Sequence, residues 1–373
     1  MAFFPFAFSA GIALTHLYLF WNLRQAFGGG RWQYFAAALI AVLMLATIFR
    51  TRVANALQSP LAIDIIFGWA GLVLVSTLFT AGRNVLSLAF RLAGKLTGGD
   101  IGAFAHSAAG FRVALALGAA AFLYSLYEAR AVRVHTYDLR TDRLPADVEK
   151  LRIVALSDLH LTRHMSVSRL DNAVALANAQ QPDIVVLLGD TVDDFIEDRG
   201  DLAASLASLR ARYGKFAIVG NHERYRGLEQ GLRFLNKAGF TMLRGAHAEA
   251  GGITIAGVDD PVIRGRTTIP EALAAAPSDG FVLLLAHRPE TPPEAAGRFD
   301  LQLSGHTHAG QVWPVRYLTW LVHGHAQGFT QLHDGATPPL RRSLLYLSNG
   351  TGYWGPPVRF LAPPEIAVFD LHK

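Results

Sequence analysis

Seven side chains of types that commonly bind divalent metal ions follow short apolar runs in the second half of the chain. They are Asp158, His160, Asp190, Asn221, His287, His306 and His308. In α/β sheets the loops after the strands converge at the carboxyl edge, so we expect these side chains to meet there. Any one of them alone is explained equally well as a turn residue. Their recurrence after five strand-like runs favours one shared site.

The donor atoms in this set are oxygen and nitrogen without sulfur, a combination that suits Mn, Fe or Zn. The set is too large for one ion. Two divalent ions carry a charge of about +4, and the Asp158 and Asp190 carboxylates neutralise about half of it. The remaining positive charge, about +2, can bind a phosphate oxyanion. The chemistry predicted from these residues is therefore hydrolysis of a phosphate ester at two divalent ions.

The runs that precede these residues are rich in β-branched side chains and alternate with helical stretches, which predicts an α/β layered fold. The strand-like runs are "LRIVALSD", "PDIVVLLGD", "KFAIVGNHE", "ITIAGVDD", "FVLLLAHRP", "LQLSGHTH", "LLYLSNG" and "EIAVFDL", with "RAVRVHTYDL" before them. The predicted helices are Val167 to Ala179, Leu202 to Arg212 and Leu228 to Ala238. Residues 131–373 are predicted to form this domain.

Residues 1–130 differ in composition, because they hold nearly all the long apolar runs. A helix needs about 20 apolar residues to cross a bilayer, and four windows are predicted to do so: 4–23, 32–49, 61–81 and 113–127. The sequence thus predicts a four-helix transmembrane region ahead of the α/β domain. The Lys and Arg bias of the short loops favours a catalytic domain on the extracytoplasmic side of a bacterial-type inner membrane.

The ordered motifs "DLH", "GD", "GNHE", "AH" and "GHTH" resemble those of the calcineurin-like metallophosphoesterases, over residues 150–371. The resemblance implies a four-layer αββα sandwich. It implies that Asp158, His160 and His308 hold one metal, that Asn221, His287 and His306 hold the other, and that Asp190 bridges them. It also implies that His222 protonates the leaving oxygen and that Asp193 orients His222.

The tail "GTGYWGPPVR" and the segment "GHTHAGQVWP" resemble the membrane-attached or exported bacterial branch of that superfamily. The implied substrate is a lipid-linked or cell-envelope phosphodiester or pyrophosphate. Asp194 stands where phosphoprotein phosphatases of the superfamily have an arginine, so a phosphoprotein substrate is not expected. The candidate phosphate contacts are Arg163, Arg224 and Arg288. The alternative for each is an ordinary solvent-exposed arginine without a part in the site.

The segment Val312 to Phe329 follows the last histidine of the set and is rich in aromatic and aliphatic residues. We expect it to dock on the bilayer or to admit an acyl chain; the alternative is a helix that packs on the domain core. His323 and His325 repeat the spacing of His306 and His308. No carboxylate accompanies them in the sequence, so they are not predicted to belong to the site.

The whole-chain composition narrows the classes of function. The absence of cysteine excludes disulfides and thiolate chemistry, and a net charge of +5 suits anionic headgroups or phosphate esters. The sequence contains no basic run with interleaved aromatic residues, the pattern that favours nucleic-acid binding. Nucleic acid is therefore not expected as a partner. Two alternatives to the membrane-anchored phosphoesterase are open. One is a UDP-2,3-diacylglucosamine pyrophosphohydrolase of lipid A synthesis, which requires a cytoplasmic site. The other is a membrane sensor or scaffold with an inactive phosphoesterase fold.

Overall fold

The structure is a computed structural model, and it describes residues 3–49, 52, 53, 56, 59–97, 102–277, 279–333 and 342–373. The chain divides into two compact units. The first comprises Met1–Tyr127 together with Gly355–Phe360, and the second comprises Glu128–Trp354 together with Leu361–Lys373.

The first unit is mainly helical within residues 3–127, and its Gly355–Phe360 stretch contains no helix. Its helices are Phe3–Phe27, Trp32–Ile48, Pro60–Thr97, Ala103–His106 and Ala108–Glu128, the last of which ends one residue inside the second unit. Each of the four predicted apolar windows therefore coincides with a helix.

Two of the four predicted membrane spans are supported, because among the described residues only Leu61–Leu96 and Ala108–Glu128 are long and apolar enough to cross a bilayer. The Trp32–Ile48 helix has 17 residues, fewer than the roughly 20 that a span requires. The Phe3–Phe27 helix carries the polar side chains His16, Asn22 and Arg24.

The second unit contains two six-stranded mixed sheets. The first has the order β1-β12-β2-β3-β4-β5 and the second β10-β11-β9-β8-β7-β6. The strands of the first sheet are β1 (Arg133–Arg140), β2 (Lys150–Leu156), β3 (Ile184–Leu187), β4 (Lys215–Ala217), β5 (Thr241–Met242) and β12 (Glu365–His372). Those of the second are β6 (Ala246–Ala250), β7 (Ile253–Gly257), β8 (Val282–Leu285), β9 (Leu301–Ser304), β10 (Gly328–Leu332) and β11 (Ser343–Leu347).

Three apolar clusters hold the layers together. Ile153 and Ile184 of the first sheet pack with Leu283 and Leu301 of the second, so the two sheets face each other across a shared core. The opposite face of the first sheet packs against the helices Val167–Ala179, Gly200–Ala207 and Leu228–Lys237. The opposite face of the second sheet packs against the Ile269–Ala275 helix.

The strands that precede the predicted site residues run parallel within each sheet. In the first sheet β2, β3 and β4 are parallel neighbours, and in the second β8 and β9 are. Their carboxyl ends therefore lie along one edge of each sheet. The fold places the loops after β2, β3, β4, β8 and β9 where the sequence predicts a site.

Candidate metal centre

The loops after β2 and β9 bring Asp158, His160 and His308 together. One ligand atom from each lies within 4.8 Å of the others. His160 Nε2 is 2.9 Å from His308 Nε2, and Asp158 Oδ1 is 3.4 Å from His308 Nε2. All three side chains are buried. Two imidazole nitrogens that face each other this closely, with a carboxylate beside them, form a suitable pocket for a cation.

The loops after β3, β8 and β9 form a second group of Asp190, His287 and His306, again within 4.8 Å. His287 Nε2 lies 3.2 Å from Asp190 Oδ2, and His287 Nδ1 lies 2.7 Å from the Leu188 carbonyl oxygen. Donation from Nδ1 to that carbonyl leaves Nε2 with a lone pair directed at the group. The backbone N–H of His306 donates to Asp158 Oδ1 at 3.1 Å, which joins the two groups.

A third group contains His160, Asp193 and His222. His222 Nδ1 lies 2.6 Å from Asp193 Oδ1, and His160 Nδ1 lies 3.5 Å from Asp193 Oδ2. His222 Nε2 is 3.9 Å from Asp190 Oδ2. If Nδ1 carries the hydrogen that bonds Asp193, Nε2 is directed toward the second group.

The loops are held in place by Glu223, a residue that the sequence analysis did not assign. Its buried carboxylate accepts hydrogen bonds from four backbone N–H groups, those of Asp190, Thr191, Val192 and Gly220. This ties the loop after β3 to the loop after β4. Glu223 follows His222 directly in "GNHE", so its place in the motif was a signal that it belongs to the site.

Two glycines allow the close approach of these loops. A Cβ atom at Gly220 would collide with Asp190 Oδ1, and one at Gly305 would collide with Ser157 Oγ and Asp158 Oδ2. Any larger residue at either position would displace a carboxylate of the site.

Four buried polar atoms of the predicted metal ligands have no hydrogen-bond partner among the described residues: His160 Nδ1, Asn221 Oδ1, His287 Nε2 and His306 Nδ1. A buried polar atom without a partner costs about 1 to 3 kcal/mol. Four such atoms around buried carboxylates are explained by a common ligand, and their lone pairs fit divalent cations. The residues present therefore fit the metal ions that the sequence predicts.

The electrostatics of the second group favour binding of a cation. Burial lowers the pKa of His287, but the Asp190, Asp158 and Asp260 carboxylates outweigh burial and raise that pKa to about 10. Burial raises the pKa of Asp190, but the His287 and His222 imidazoles outweigh it and hold the pKa well below its usual value. A proton and a metal ion therefore compete for the same His287 atom. Burial and the His287 charge lower the pKa of His306 to about 2, which keeps that imidazole neutral and able to bind a metal.

The three candidate phosphate-binding arginines lie in different surroundings. Arg163 Nη2 is 3.8 Å from Asp198 Oδ2, and Arg224 is exposed. Arg288 Nε donates to Asp260 Oδ2 at 2.7 Å, and Arg288 is the residue directly after His287 in the chain. A cavity of about 480 Å³ is lined by Arg288, His287 and Arg266, among others. Of the three arginines, Arg288 is the one that this cavity includes.

In the structure a carboxylate from elsewhere in the chain accompanies the second histidine pair of the Val312 to Phe329 segment. Glu290 Oε1 lies 2.6 Å from His323 Nδ1, although 33 residues separate the two in sequence. The His323 ring is perpendicular to the His306 ring, with centroids 5.3 Å apart. The helix that ends at His323, Val315–His323, has no buried residue, so it is not packed into the core as the alternative required.

Two further aromatic side chains flank His222. Ring centroids of Tyr225 and Trp354 each lie 5.7 Å from that of His222. Gln311 holds Trp354 by two hydrogen bonds to its backbone, each 2.9 Å long. The "GTGYWG" stretch, noted in the sequence for its resemblance alone, therefore reaches the site.

Comparisons with known proteins found relatives of this chain. The family model of the calcineurin-like phosphoesterases matches residues 151–310. A protein named as an uncharacterized metallophosphoesterase of Aquifex aeolicus is 38% identical over 69% of this chain and 97% of its own length. A similarly named protein of Helicobacter pylori is 37% identical over 60% of each chain. A transmembrane protein with metallophosphoesterase domain of Danio rerio is 30% identical over 70% of this chain and 62% of its own length.

Proposed function

Because this chain belongs to the calcineurin-like metallophosphoesterases, which makes it a metal-dependent phosphoesterase, we propose that it hydrolyses a phosphodiester or pyrophosphate bond at a binuclear metal centre. The observation that carries the proposal is the presence of three groups of possible metal ligands, together with four buried ligand atoms that have no hydrogen-bond partner among the described residues. The matched region covers only about three-fifths of the Helicobacter and Danio proteins.

In the proposed centre Asp158, His160 and His308 hold one ion, Asn221, His287 and His306 hold the other, and Asp190 contributes to both. When bound, two divalent ions would supply positive charge to the phosphate oxygens and lower the pKa of water. Their identity among Mn, Fe and Zn is left open by the oxygen and nitrogen donors.

The proposed proton donor is His222. Asp193 accepts the hydrogen of His222 Nδ1, which fixes the tautomer and the orientation of the ring. Burial lowers the pKa of His222, but Asp193 and Asp190 outweigh it and raise that pKa above its usual value. A protonated Nε2 beside Asp190 is placed to protonate the leaving oxygen. Arg226, whose Nε lies 3.4 Å from Asp193 Oδ1, adds a second donor to that carboxylate.

The proposed substrate is lipid-linked or belongs to the cell envelope. Two helices of the chain are long and apolar enough to cross a membrane, and the Danio relative is named as a transmembrane protein. Arg288 at the 480 Å³ cavity is the proposed phosphate or headgroup contact. We place the protein in the inner membrane with the second unit on the extracytoplasmic side, the orientation that the basic residues of the loops favour when all four apolar helices cross the bilayer.

The test is Asp190→Asn, assayed with bis(p-nitrophenyl) phosphate and manganese, with bound metal measured by mass spectrometry. The variant removes one negative charge between the two ions, and we expect a loss of activity of about a hundredfold or more together with about one metal per chain. Asp171→Asn is the matched control, because Asp171 accepts a hydrogen bond from Ser205 and belongs to none of the three groups. Near wild-type turnover with two bound metals in Asp190→Asn would refute the proposal.

A further inference from the structure

The Val315–His323 helix has its apolar side toward solvent. Its exposed residues are Tyr317, Leu318, Trp320, Leu321 and Val322, with Leu321 at 74% and Val322 at 68% of full exposure. Its half-buried residues include Arg316, Thr319 and His323, which share one face at helical spacing. A surface helix of a soluble domain shows the opposite arrangement, with its apolar face toward the core. The exposed apolar face of this helix is therefore a surface for something that is not water.

The polar side of the helix is anchored to the metal centre at both ends. Near its start, a Cβ atom at Gly310 would collide with the backbone N of Arg316, so the turn that carries His308 packs directly against the first residues of the helix. At its end, His323 bonds Glu290 and packs on the His306 ring. The helix thus lies beside the predicted ligands His306 and His308. None of the described residues covers its outer face, which is exposed to solvent.

The composition of this face identifies its partner. Tryptophan and tyrosine beside leucine and valine are typical of segments that lie in a membrane interface. No aspartate or glutamate occurs between Gln311 and His333, and Arg316 is the only Lys or Arg there, so the helix itself carries no acidic residue that would repel anionic headgroups. A contiguous apolar patch of this kind marks an interaction surface. The chain also carries its own candidate membrane spans, and the second unit begins at Glu128, where one of them ends. Such a tether raises the local concentration of bilayer at the patch.

We propose that the exposed face of the Val315–His323 helix docks on the surface of a phospholipid bilayer and presents lipid-borne phosphate esters to the neighbouring metal centre. Trp320 and Leu321 enter the region between headgroups and acyl chains, while His323 and Arg316 stay on the protein side. The docking is independent of catalysis; the delivery of substrate rests on the proposed function.

The first test measures docking without activity. The chain has no cysteine, so Leu321→Cys can carry a single bimane label in the full-length protein reconstituted into vesicles of phosphatidylethanolamine and phosphatidylglycerol. Lys237→Cys, at the exposed end of the Leu228–Lys237 helix, is the matched control. We expect spin-labelled lipid to quench the label at 321 at least about threefold more than the label at 237, and iodide to do the reverse.

Two results would overturn docking. One is a label at 321 that iodide reaches as freely as the label at 237. The other is a label shielded from both quenchers, with energy transfer between chains labelled at 321 by donor and acceptor dyes, because the helix would then face a second copy of the chain.

The second test measures delivery. The double variant Trp320→Gln, Leu321→Gln changes two exposed side chains, so the fold should be retained. We expect kcat/KM for an acylated p-nitrophenyl phosphodiester embedded in the same vesicles to fall about tenfold or more, and kcat/KM for bis(p-nitrophenyl) phosphate to change less than about twofold. An equal loss on both substrates would contradict delivery. A wild-type chain that docks but cleaves neither substrate would contradict the proposed function and leave docking supported.

Discussion

Several predicted site residues have left-handed backbone conformations that the side-chain pattern alone does not reveal. The φ angles are 55° at Asp158, 47° at His160, 49° at Asp190, 74° at His306 and 52° at His308. This region is uncommon for residues other than glycine and costs about 1 to 2 kcal/mol each. Strain concentrated at five predicted metal ligands indicates that the loops are held for function rather than for stability.

The sequence predicted which residue types meet, because carboxylate and imidazole side chains recur after consecutive strands. It did not predict Glu223 as the residue that fixes two loops, nor the Glu290–His323 pair. In both cases the partner comes from a loop about 30 residues away, and its identity depends on side-chain directions that a one-dimensional pattern does not contain.

Glu223→Gln is predicted to lower the free energy of unfolding by about 2 to 3 kcal/mol. The amide keeps one acceptor oxygen and directs an NH₂ group at two of the four backbone N–H donors. Chemical unfolding in detergent, followed by circular dichroism, measures the change. Glu229→Gln, at an exposed position of the next helix, should change the free energy by less than about 0.5 kcal/mol. Equal values for the two variants would contradict the role of Glu223.

Removal of metal is predicted to destabilise the second unit. The partnerless atoms of His160, Asn221, His287 and His306 remain buried without a cation, and a ligand present at about 100 times its Kd adds about 2.7 kcal/mol of stability. A chelator should therefore lower the thermal unfolding midpoint by several degrees, and excess manganese should restore it. An unchanged midpoint after verified loss of metal would count against the fit of these atoms to a cation.

At the scale of the elements, period and β-branched content predicted a strand at every run named from the sequence. The edge strands β5, β6 and β10 were missed. β5 has two residues, and β6 and β10 are largely exposed, so none of the three has an apolar run. The helix predicted over Leu202 to Arg212 ends at Ala207 instead. There the chain turns to pair with other segments: Arg210 N donates to Asn178 Oδ1 and Arg212 N to the Pro182 carbonyl.

The strands β2 and β12 are joined by a partly buried ion pair whose strength should depend on pH. Arg152 donates two hydrogen bonds of 2.7 Å to Asp370, and Lys150 Nζ lies 2.8 Å from the same carboxylate. Arg152 and, to a smaller extent, Lys150 lower the pKa of Asp370 to about 2, from a usual 3.8. Because the pKa is lowered on folding, the stabilisation is complete above the usual value and is lost as pH falls toward about 2.

Asp370→Asn is therefore predicted to cost about 1 to 2 kcal/mol near neutral pH, with allowance for solvent screening of Arg152 and Lys150. The difference from the wild-type chain should shrink between about pH 4 and pH 2. Unfolding curves at several pH values measure it. Asp201→Asn is the control, because its pKa is also lowered to about 2 by Arg199 but its side chain is 47% exposed; no change in stability is expected. A pH-independent difference for Asp370→Asn would contradict the ion-pair explanation.

At the scale of the whole molecule, composition separated an apolar first part from an α/β second part. It did not reveal that Gly355–Phe360 belongs to the first compact unit. All four apolar windows form helices, but among the described residues only two helices are long and apolar enough to be candidate membrane spans. The Trp32–Ile48 helix has 17 residues, fewer than the roughly 20 that a span usually needs.

The side of the membrane is tested by a reporter fused after Lys373. If all four apolar helices cross the bilayer, the loop charges favour an extracytoplasmic second unit, so alkaline phosphatase at the C-terminus should be active and green fluorescent protein should be dark. The same fusions placed after Gly29, between the first two helices, provide the internal comparison. A fluorescent C-terminal fusion would move the site to the cytoplasm and restore the lipid A pyrophosphohydrolase as the leading alternative.

The most direct measurement of the central claim is anomalous diffraction at the manganese edge from crystals of the full chain grown with manganese. Two anomalous peaks are predicted, one among Asp158, His160 and His308 and the other among Asn221, His287 and His306, with the Asp190 carboxylate between them. A single peak in crystals of active protein, or two peaks away from these side chains, would contradict a binuclear centre at this place.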